Sequence, residues 1–355
     1  MPSVRTSEGK PMSTAAPLSE RVRPPILVLT LVLALSLVLA ACGSGDDDAA
    51  PRAEPAKGQG AFPVRIDHKY GTTEISAQAK RVVTLGLSDQ DAVLALGIKP
   101  VGAVDWFKER PYGKWAWTQG LWGASPPTIV GERDNFNIEK IAVLEPDLII
   151  ALYSGMKKEQ YDALSRIAPT VGQPLKYDDY AAPWQEMTRM TGRALGMEAR
   201  ANELITKIDQ RFAQVREEYP EFAGKTTAVV DPYEAGKYAV FAPSDPKVVF
   251  MTSLGFSVPE KVTKAVGKEY AAEIGSERLD LVDVDRLVFL TGDPTARKRV
   301  EADEVFGTLE VAKEKRALFA PYEDPPVGAA LSFNTVLSVP YAIDQIIPLL
   351  TAPAS

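Results

Sequence analysis

Short apolar runs alternate with amphipathic segments along most of the chain after residue 62. In the first part of that region five apolar runs predict buried strands. Three of the four segments that connect these runs have the 3.6-residue spacing of helices. Strands separated by helices are typical of βαβ units and of a largely parallel sheet. The predicted strands lie at 81–85, 101–104, 128–130, 147–152 and 168–171, the helices at 88–96, 137–145 and 157–166, and a short hairpin precedes them at 64–72.

From about 184 to 218 the pattern predicts one long helix, because apolar residues from Met187 to Val215 recur at spacings of three and four. Such a helix would be roughly 50 Å long, which is long enough to brace two lobes. Pro220 ends it. A second α/β series follows, with predicted strands at 226–230, 238–241, 287–290 and 317–319 and a closing helix at 333–350.

The two series share a matching segment. Residues 139–150 align with residues 277–288, and in each a glutamate opens a short helix that an acidic turn connects to a buried strand. The predicted fold class is therefore α/β, with two Rossmann-like lobes whose parallel-rich sheets are bridged by one long α-helix. The expected boundaries are 62–182 for the N-terminal lobe, 183–220 for the bridging helix and 221–355 for the C-terminal lobe.

The start of the chain has the pattern of an export signal. A basic segment of 24 residues leads into an apolar run from Pro25 to Ala41, and Leu39-Ala40-Ala41-Cys42-Gly43 resembles the bacterial lipobox. We predict a lipoprotein signal peptide over 1–41, lipidation of Cys42, the only cysteine, and a flexible tether over 42–61. A single-span membrane anchor is the alternative, because the apolar run is at the lower limit for crossing a bilayer.

Composition excludes several classes of protein. The formal charge of −7 and the pI near 5.1 argue against a nucleic-acid partner. No phosphate-binding loop, dinucleotide fingerprint or nucleophile elbow is present, and the single histidine, His68, has no catalytic neighbours in sequence. We therefore predict no catalytic residues, no metal ligands and no cofactor, and bare-metal capture by several imidazoles is also disfavoured.

Aromatic and cationic residues in the loops are the candidate binding groups. Trp106, Tyr153 and Tyr233 each follow a predicted strand, where ligands bind in α/β sheets. The loop from 106 to 122 holds four of the five tryptophans. The same argument extends to Arg133, Trp184, Tyr238 and Arg297. Such groups suit a large, flat, partly anionic ligand, which describes ferric siderophores, haem and corrinoids alike.

Several segments together resemble one family, the iron-siderophore/cobalamin class of periplasmic binding proteins. They are the lipobox, RVVTLG followed by SDQD, NIEKIAVLEPDLIIA, and the LG turn within the long helical region. The resemblance covers nearly all of residues 62–350. It implies two lobes joined by a rigid helix, a ligand between them, and docking onto the permease dimer of an ABC importer at the outer face of the cell membrane.

In that family one glutamate on each lobe pairs with permease arginines, and by motif position these residues are Glu139 and Glu277. The alternative is that each only favours its helix N-terminus electrostatically. The leading hypothesis is thus a monomeric, lipid-anchored receptor that binds a ferric siderophore without chemistry on it. Cobalamin or haem binding is the second hypothesis, and an exported α/β hydrolase is the third.

Overall fold

The structure, a computed structural model, describes residues 62–108 and 110–352. The predicted signal segment 1–41, the lipidation site Cys42 and the whole predicted tether 42–61 lie outside the described residues. The described chain opens with the predicted hairpin, in which β1 (Val64–His68) pairs antiparallel with β2 (Gly71–Ile75). Within the described ranges no helix is long and apolar enough to cross a membrane.

The first sheet has six strands in the order β6-β5-β4-β3-β7-β8, and every pair except β5–β6 is parallel. Its central strands are buried on both faces, as their unbroken apolar runs require. The elements are β3 (Val82–Thr84), α1 (Asp89–Ala95), β4 (Gly102–Asp105), β5 (Thr128–Glu132), β6 (Asn135–Phe136), α2 (Ile138–Val143), β7 (Leu148–Ile150), α3 (Lys158–Leu164) and β8 (Thr170–Val171).

The helical region after this sheet is two helices, α4 (Trp184–Ala194) and α5 (Glu198–Glu218). The prediction of one unbroken helix over 184–218 is wrong at Gly196, whose φ of +66° ends α4. A Cβ at this position would also lie 2.6 Å from the ring of Phe62. The apolar spacing continues on both sides of the break, so periodicity alone did not reveal it.

Helix α5 runs from the core of one sheet to the core of the other. Met187 and Met190 of α4 and Ala201 of α5 pack into the core of the first sheet. Further along α5, Phe212 and Val215 pack into a core that includes strands of the second sheet. The helix of 21 residues, roughly 30 Å long, therefore connects the two cores.

The second sheet has five strands in the order β11-β10-β9-β12-β13. Strands β9, β12 and β13 are parallel, whereas β10 is antiparallel to both of its neighbours. The elements of this half are β9 (Thr227–Glu234), β10 (Lys237–Phe241), α6 (Pro246–Ser253), α7 (Glu260–Val266), β11 (Ala271–Gly275), β12 (Arg286–Thr291), α8 (Ala296–Glu301), α9 (Glu304–Thr308), α10 (Glu310–Lys313), β13 (Ala317–Pro321), α11 (Val327–Phe333) and α12 (Ser338–Thr351).

The two matching sequence segments occupy equivalent places in the two sheets. The first segment leads into β7, which lies between β3 and β8. The second leads into β12, which lies between β9 and β13. Asp147 accepts hydrogen bonds from the backbone N–H groups of Lys80 and Arg81 just before β3, and Asp285 accepts one from Thr226 just before β9. The repeat is therefore a structural one, in which each aspartate ties the start of one strand to the start of its neighbour.

Candidate functional site

The carboxyl ends of β3 and β7 are held together by one buried carboxylate. Asp89, the first residue of α1, accepts hydrogen bonds from the N–H groups of Gly86 at 2.9 Å and of Leu152 and Tyr153 at 3.0 Å. A side chain at position 86 would place its Cβ 2.4 Å from the carboxylate, so glycine is required there. Burial raises the pKa of Asp89 to about 7, although the three N–H donors act in the opposite direction. This arrangement fixes Tyr153 at the end of β7.

Three aromatic rings, those of Trp106, Tyr153 and Tyr180, form the aromatic cluster at this edge of the first sheet. The ring centroid of Tyr180 lies 5.9 Å from that of Trp106 and 5.5 Å from that of Tyr153, with interplanar angles of 81° and 77°. These are edge-to-face contacts, the favourable geometry for aromatic pairs. Asp134 accepts a hydrogen bond from the Tyr180 hydroxyl and another from the N–H of Gly155, so the cluster is also anchored to the segment after β7.

A cation accompanies the aromatic cluster. The guanidinium carbon of Arg133 lies 5.8 Å from the centroid of the Trp106 ring, which is within cation–π range. Arg133 is exposed and forms no ion pair with any residue that the structure describes. Burial and the charge of Asp245 raise the pKa of Tyr153 to about 12, so its hydroxyl stays protonated at neutral pH. The site therefore offers aromatic faces, a hydroxyl donor and an unpaired guanidinium.

Tyr153 also lines a pocket between the two halves of the chain, which we call the inter-lobe pocket. Its cavity volume is about 90 Å³, and its walls are mainly apolar. The walls come from the first half, from the start of α4 and from the second half, through residues that include Ser88, Trp184, Met187, Pro246, Val249 and Phe333. Small-molecule sites usually enclose roughly 300–1,000 Å³, so this pocket has room for a side group of a bulky ligand and not for all of it.

The second half carries a charged cluster at the carboxyl end of its sheet. Lys247 pairs with Asp245 at 2.9 Å, and Arg299 pairs with Asp293 at 2.9 Å. The charges of Lys247 and Arg299 also act on the half-buried Asp231, although burial raises the pKa of that carboxyl. The Arg299 hydrogen bonds hold the pKa of Asp293 well below its usual range. Both cations of this cluster are thus already paired within the protein.

Four of the predicted ligand residues meet at this site and three do not. Trp106, Tyr153 and Arg133 contribute to the aromatic cluster and its cation, and Trp184 lines the inter-lobe pocket. Tyr233 is 43% exposed near the end of β9 and contacts neither feature.

The structure corrects the expectation for Tyr238 and Arg297. Tyr238 is 1% exposed in the core of the second half, and its hydroxyl donates to Asp303 at 2.6 Å, because strand alternation turns it inward. Arg297 pairs with Glu301 at 2.7 Å and lines a separate surface depression beside β13.

In the tryptophan-rich loop, residues 106–122, three of the four tryptophans are buried and do not face the candidate binding site as expected. Trp115, Trp117 and Trp122 are all at most 8% exposed. Trp115 and Trp117 stack at 5.2 Å and pack against Phe333 of α11, which belongs to the second half. These two rings therefore join the two halves, and only Trp106 of this loop lies in the aromatic cluster.

Two residues of the site were not singled out as ligand candidates. Tyr180 follows β8 by nine residues, and its φ of +64° turns it back towards the cluster, which no short motif indicates. Asp89 belongs to the SDQD segment, and the signal that could have identified its role was an acidic residue soon after the glycine that ends a buried strand.

Both predicted docking glutamates are exposed on short helices. Glu139 lies in the first turn of α2, where Asn137 caps the helix by accepting from the N–H of Lys140 at 2.9 Å. Glu277 lies in the first turn of a 3₁₀ helix, Ser276–Val282. In the described part of the chain neither carboxylate takes part in an ion pair.

Comparisons with known proteins agree on one family. A family model described as periplasmic binding protein matches residues 82–321. The probable siderophore-binding lipoprotein YfiY of Bacillus subtilis is 30% identical over 246 residues, which span 69% of this chain and 71% of that protein.

Solved structures give the same result. A periplasmic solute-binding protein from Mycobacterium smegmatis has a TM-score of 0.72 at 30% identity, covering 81% of this chain and 97% of that one. Streptococcus pneumoniae PiaA in complex with ferrichrome has a TM-score of 0.66 at 28% identity, covering 81% and 97%. The predicted fold class is confirmed, since these neighbours are two-lobe periplasmic binding proteins.

Proposed function

This chain belongs to the periplasmic binding protein family, and on that premise we propose that it binds a ferric siderophore between its two lobes and delivers it to an ABC importer. The family is one of substrate-binding proteins and not an enzyme class. We extend this to the chain itself and infer that it does no chemistry on its ligand. The relatives' names, which include siderophore-binding and iron-citrate-binding proteins, support the ligand class.

The observation that carries the proposal is the aromatic cluster with Arg133 beside it. Ferric siderophores are bulky, contain flat chelating groups and are commonly anionic. Edge-to-face rings present apolar area for the flat groups. The exposed Arg133 guanidinium forms no ion pair with any described residue, so its donors are available to oxygens of an anionic chelate. The inter-lobe pocket next to Tyr153 has the size for one side group of such a ligand.

We propose the lobe boundaries 62–182 and 221–355, with the two helices of residues 183–220 as the connecting segment. We further propose that Cys42 carries the lipid and that residues 42–61 tether a monomeric receptor to the outer face of the cell membrane. The relatives named as lipoproteins support the anchor. Removing residues 1–41 takes away four basic and two acidic groups, so the formal charge changes from −7 to −9.

We also propose that Glu139 and Glu277 dock the receptor onto the permease dimer. Three observations support this role: both carboxylates are exposed, neither forms an ion pair with a residue that the structure describes, and the two occupy equivalent positions in the repeat. The charge of each is therefore available to arginines of a partner, one on each lobe.

Cobalamin or haem is the alternative ligand within the same family. Both absorb strongly in the visible range, so the spectrum of protein purified after exposure to each of them separates the three ligands. We expect no haem or corrinoid band to be retained after gel filtration, and iron-chelate absorbance to be retained when a ferric siderophore is supplied. Uptake of radioactive iron by cells with and without the gene then tests delivery, and equal uptake with every chelate would contradict the proposal.

A further inference from the structure

Asp91 joins the two lobes through a buried hydrogen bond. It lies on α1 in the first lobe and is 1% exposed. Its Oδ2 atom accepts from Trp117 Nε1 at 2.9 Å and from Thr335 Oγ1 at 2.5 Å. Thr335 lies 244 positions further along the chain, in the connection between α11 and α12 of the second lobe. One carboxylate oxygen therefore holds a donor from each lobe.

Thr335 connects this carboxylate to a rigid element. The Thr335 hydroxyl oxygen accepts from the N–H groups of Ser338 at 3.0 Å and Leu337 at 3.3 Å, at the start of α12. The N–H of Thr335 in turn donates to Ser338 Oγ at 2.8 Å. A hydroxyl has one proton to donate, and here that proton is directed to Asp91. Asp91 is thus bonded, through one side chain, to the capped N-terminus of a helix of 14 residues.

The chemistry of this contact differs from that of its surroundings. Trp115, Trp117, Phe333 and Tyr341 pack around it as apolar rings with centroid separations of 5.0–5.9 Å. Apolar packing is not directional, so rings alone would tolerate small rotations of one lobe against the other. Hydrogen bonds to a fixed carboxylate restrict those rotations.

The structure shows no cation paired with Asp91 among the residues that it describes. Within residues 62–108 and 110–352 it forms no ion pair, and burial raises its pKa to about 7 in spite of its hydrogen bonds. A buried carboxylate without a cation is costly, so its contribution lies in the specific geometry that its hydrogen bonds impose. A second polar contact between the lobes, Arg110 with Glu323 at 3.3 Å, is partly exposed and correspondingly weak.

We propose that Asp91 is a positioning residue that sets the separation of the two lobes through Thr335 and thereby the affinity for the ligand. Its effect on affinity rests on the proposed function, because it requires the ligand to lie between the lobes. Its effect on lobe separation does not.

The test measures lobe separation without ligand. Spin labels at Glu159→Cys and Lys268→Cys, two exposed positions in opposite lobes, report the distance distribution by pulsed electron resonance in the full chain with Cys42→Ser. The measurements are made at pH 8 in detergent, where Asp91 is mostly ionised. We expect Asp91→Asn and Thr335→Val to lengthen or broaden the distribution, whereas Thr335→Ser, which keeps the hydroxyl, leaves it unchanged.

Thermal unfolding of each variant separates positioning from a purely structural role. A distribution unchanged in folded Asp91→Asn and Thr335→Val, even with a lower Tm, would overturn the proposal. If either variant does not fold, the other one carries the test, and Thr335→Ala, which also removes the inter-lobe donor, replaces the failed variant with the same outcomes applied to it.

Ligand binding forms the second arm. If the binding-competent fraction of free receptor falls to about a tenth, Kd rises roughly tenfold, and we expect this mainly as slower association of the ferric siderophore. A wild-type protein that binds no chelate would reject the proposed function and leave the distance result valid. A changed distance with unchanged Kd would reject the link between separation and affinity.

Discussion

The two lobes share a three-strand unit and differ at the edge where a ligand would bind. In both, a parallel set of strands is anchored by an aspartate at its amino end, Asp147 in the first lobe and Asp285 in the second. At the carboxyl end, the first lobe presents the aromatic cluster and Arg133, which has no ion-pair partner in the described part of the chain. The second lobe presents the charged cluster, in which Lys247 and Arg299 already have partners.

From this difference we propose that the two lobes contribute unequally to ligand binding. Groups without an internal partner can exchange water for a ligand at little cost, whereas cations held in ion pairs must first lose those pairs. We therefore expect most of the contact energy to come from the first lobe. The second lobe would close the site and fix its polarity.

The largest expected effect concerns the proposed permease-docking surface, to which each lobe should contribute one glutamate. Reversing both docking charges, Glu139→Lys with Glu277→Lys, should lower iron uptake by more than roughly thirtyfold, because a lost interfacial charge pair costs about 2 kcal/mol or more. Single reversals should each give an intermediate loss if the lobes dock symmetrically. Uptake of radioactive iron is the measurement.

The matched control for that experiment is Glu159→Lys with Glu269→Lys, which changes the same charge at exposed positions elsewhere on the two lobes. Ligand affinity should be unchanged in both double variants. Loss of affinity in the Glu139 and Glu277 variant would show that these residues are not docking residues.

The next effect tests the asymmetry of binding directly. Tyr153→Leu should raise Kd about tenfold, since losing an aromatic contact at a binding site costs about 1–2 kcal/mol. Tyr233→Leu, an aromatic residue near the end of a strand in the other lobe, should change Kd less than twofold. Titration calorimetry with the same ferric siderophore measures both, and equal losses would refute the proposed division between the lobes.

The anchoring aspartates should have similar and smaller effects on stability. Asp147→Asn and Asp285→Asn each weaken the hydrogen bonds at the amino ends of two neighbouring strands, which are exposed at Asp147 and part-buried at Asp285. We expect each to lower the free energy of unfolding by about 0.5–1.5 kcal/mol in urea titrations. Hydrogen bonds from Thr226 lower the pKa of Asp285. Its stabilisation is therefore present above about pH 4 and is lost as the pH falls through the lowered pKa. Asp285→Asn should reduce the loss of stability between about pH 4 and lower pH. An unchanged loss in this variant would show that Asp285 does not cause it.

The remaining effect is a pH dependence and concerns Asp91, whose pKa is raised by burial to about 7. A carboxyl with a raised folded-state pKa contributes stability below its unfolded value of about 4, and that contribution is lost as the pH rises to about 7. Burial also raises the pKa of Asp89. The Asp91→Asn variant should therefore keep part of the decline in stability with rising pH. Free energies of unfolding at pH 5 and pH 7.5 measure the difference, and a steeper decline in the variant would contradict it.

The sequence was sufficient for the features that depend on periodicity. Apolar runs located the parallel strands, and the repeat at an offset of 138 placed Asp147 and Asp285 in equivalent positions, where the structure has them. It was insufficient where a single backbone angle or a distant contact decides. Gly196 ends α4 through a left-handed conformation, and the helical spacing hides this.

For the candidate site, too, the sequence predicted positions next to strands but not contacts that depend on packing. A position directly after a strand correctly indicated Trp106 and Tyr153 for the edge of the sheet. It could not show that Trp117 turns away to meet Asp91 and Phe333, because those contacts depend on how the two lobes pack. Tyr238 was misplaced because the face of a strand that points inward depends on its sheet.

The most direct test of ferric siderophore binding is a tryptophan-fluorescence titration of residues 43–355 with ferric hydroxamate, catecholate and carboxylate siderophores. Cobalamin and haemin are titrated separately as the alternative ligands. Saturable quenching by one ferric class at micromolar concentration or below, reduced in Tyr153→Leu, is the predicted result. No saturation by any ferric siderophore, or saturation by cobalamin or haemin alone, would contradict the account.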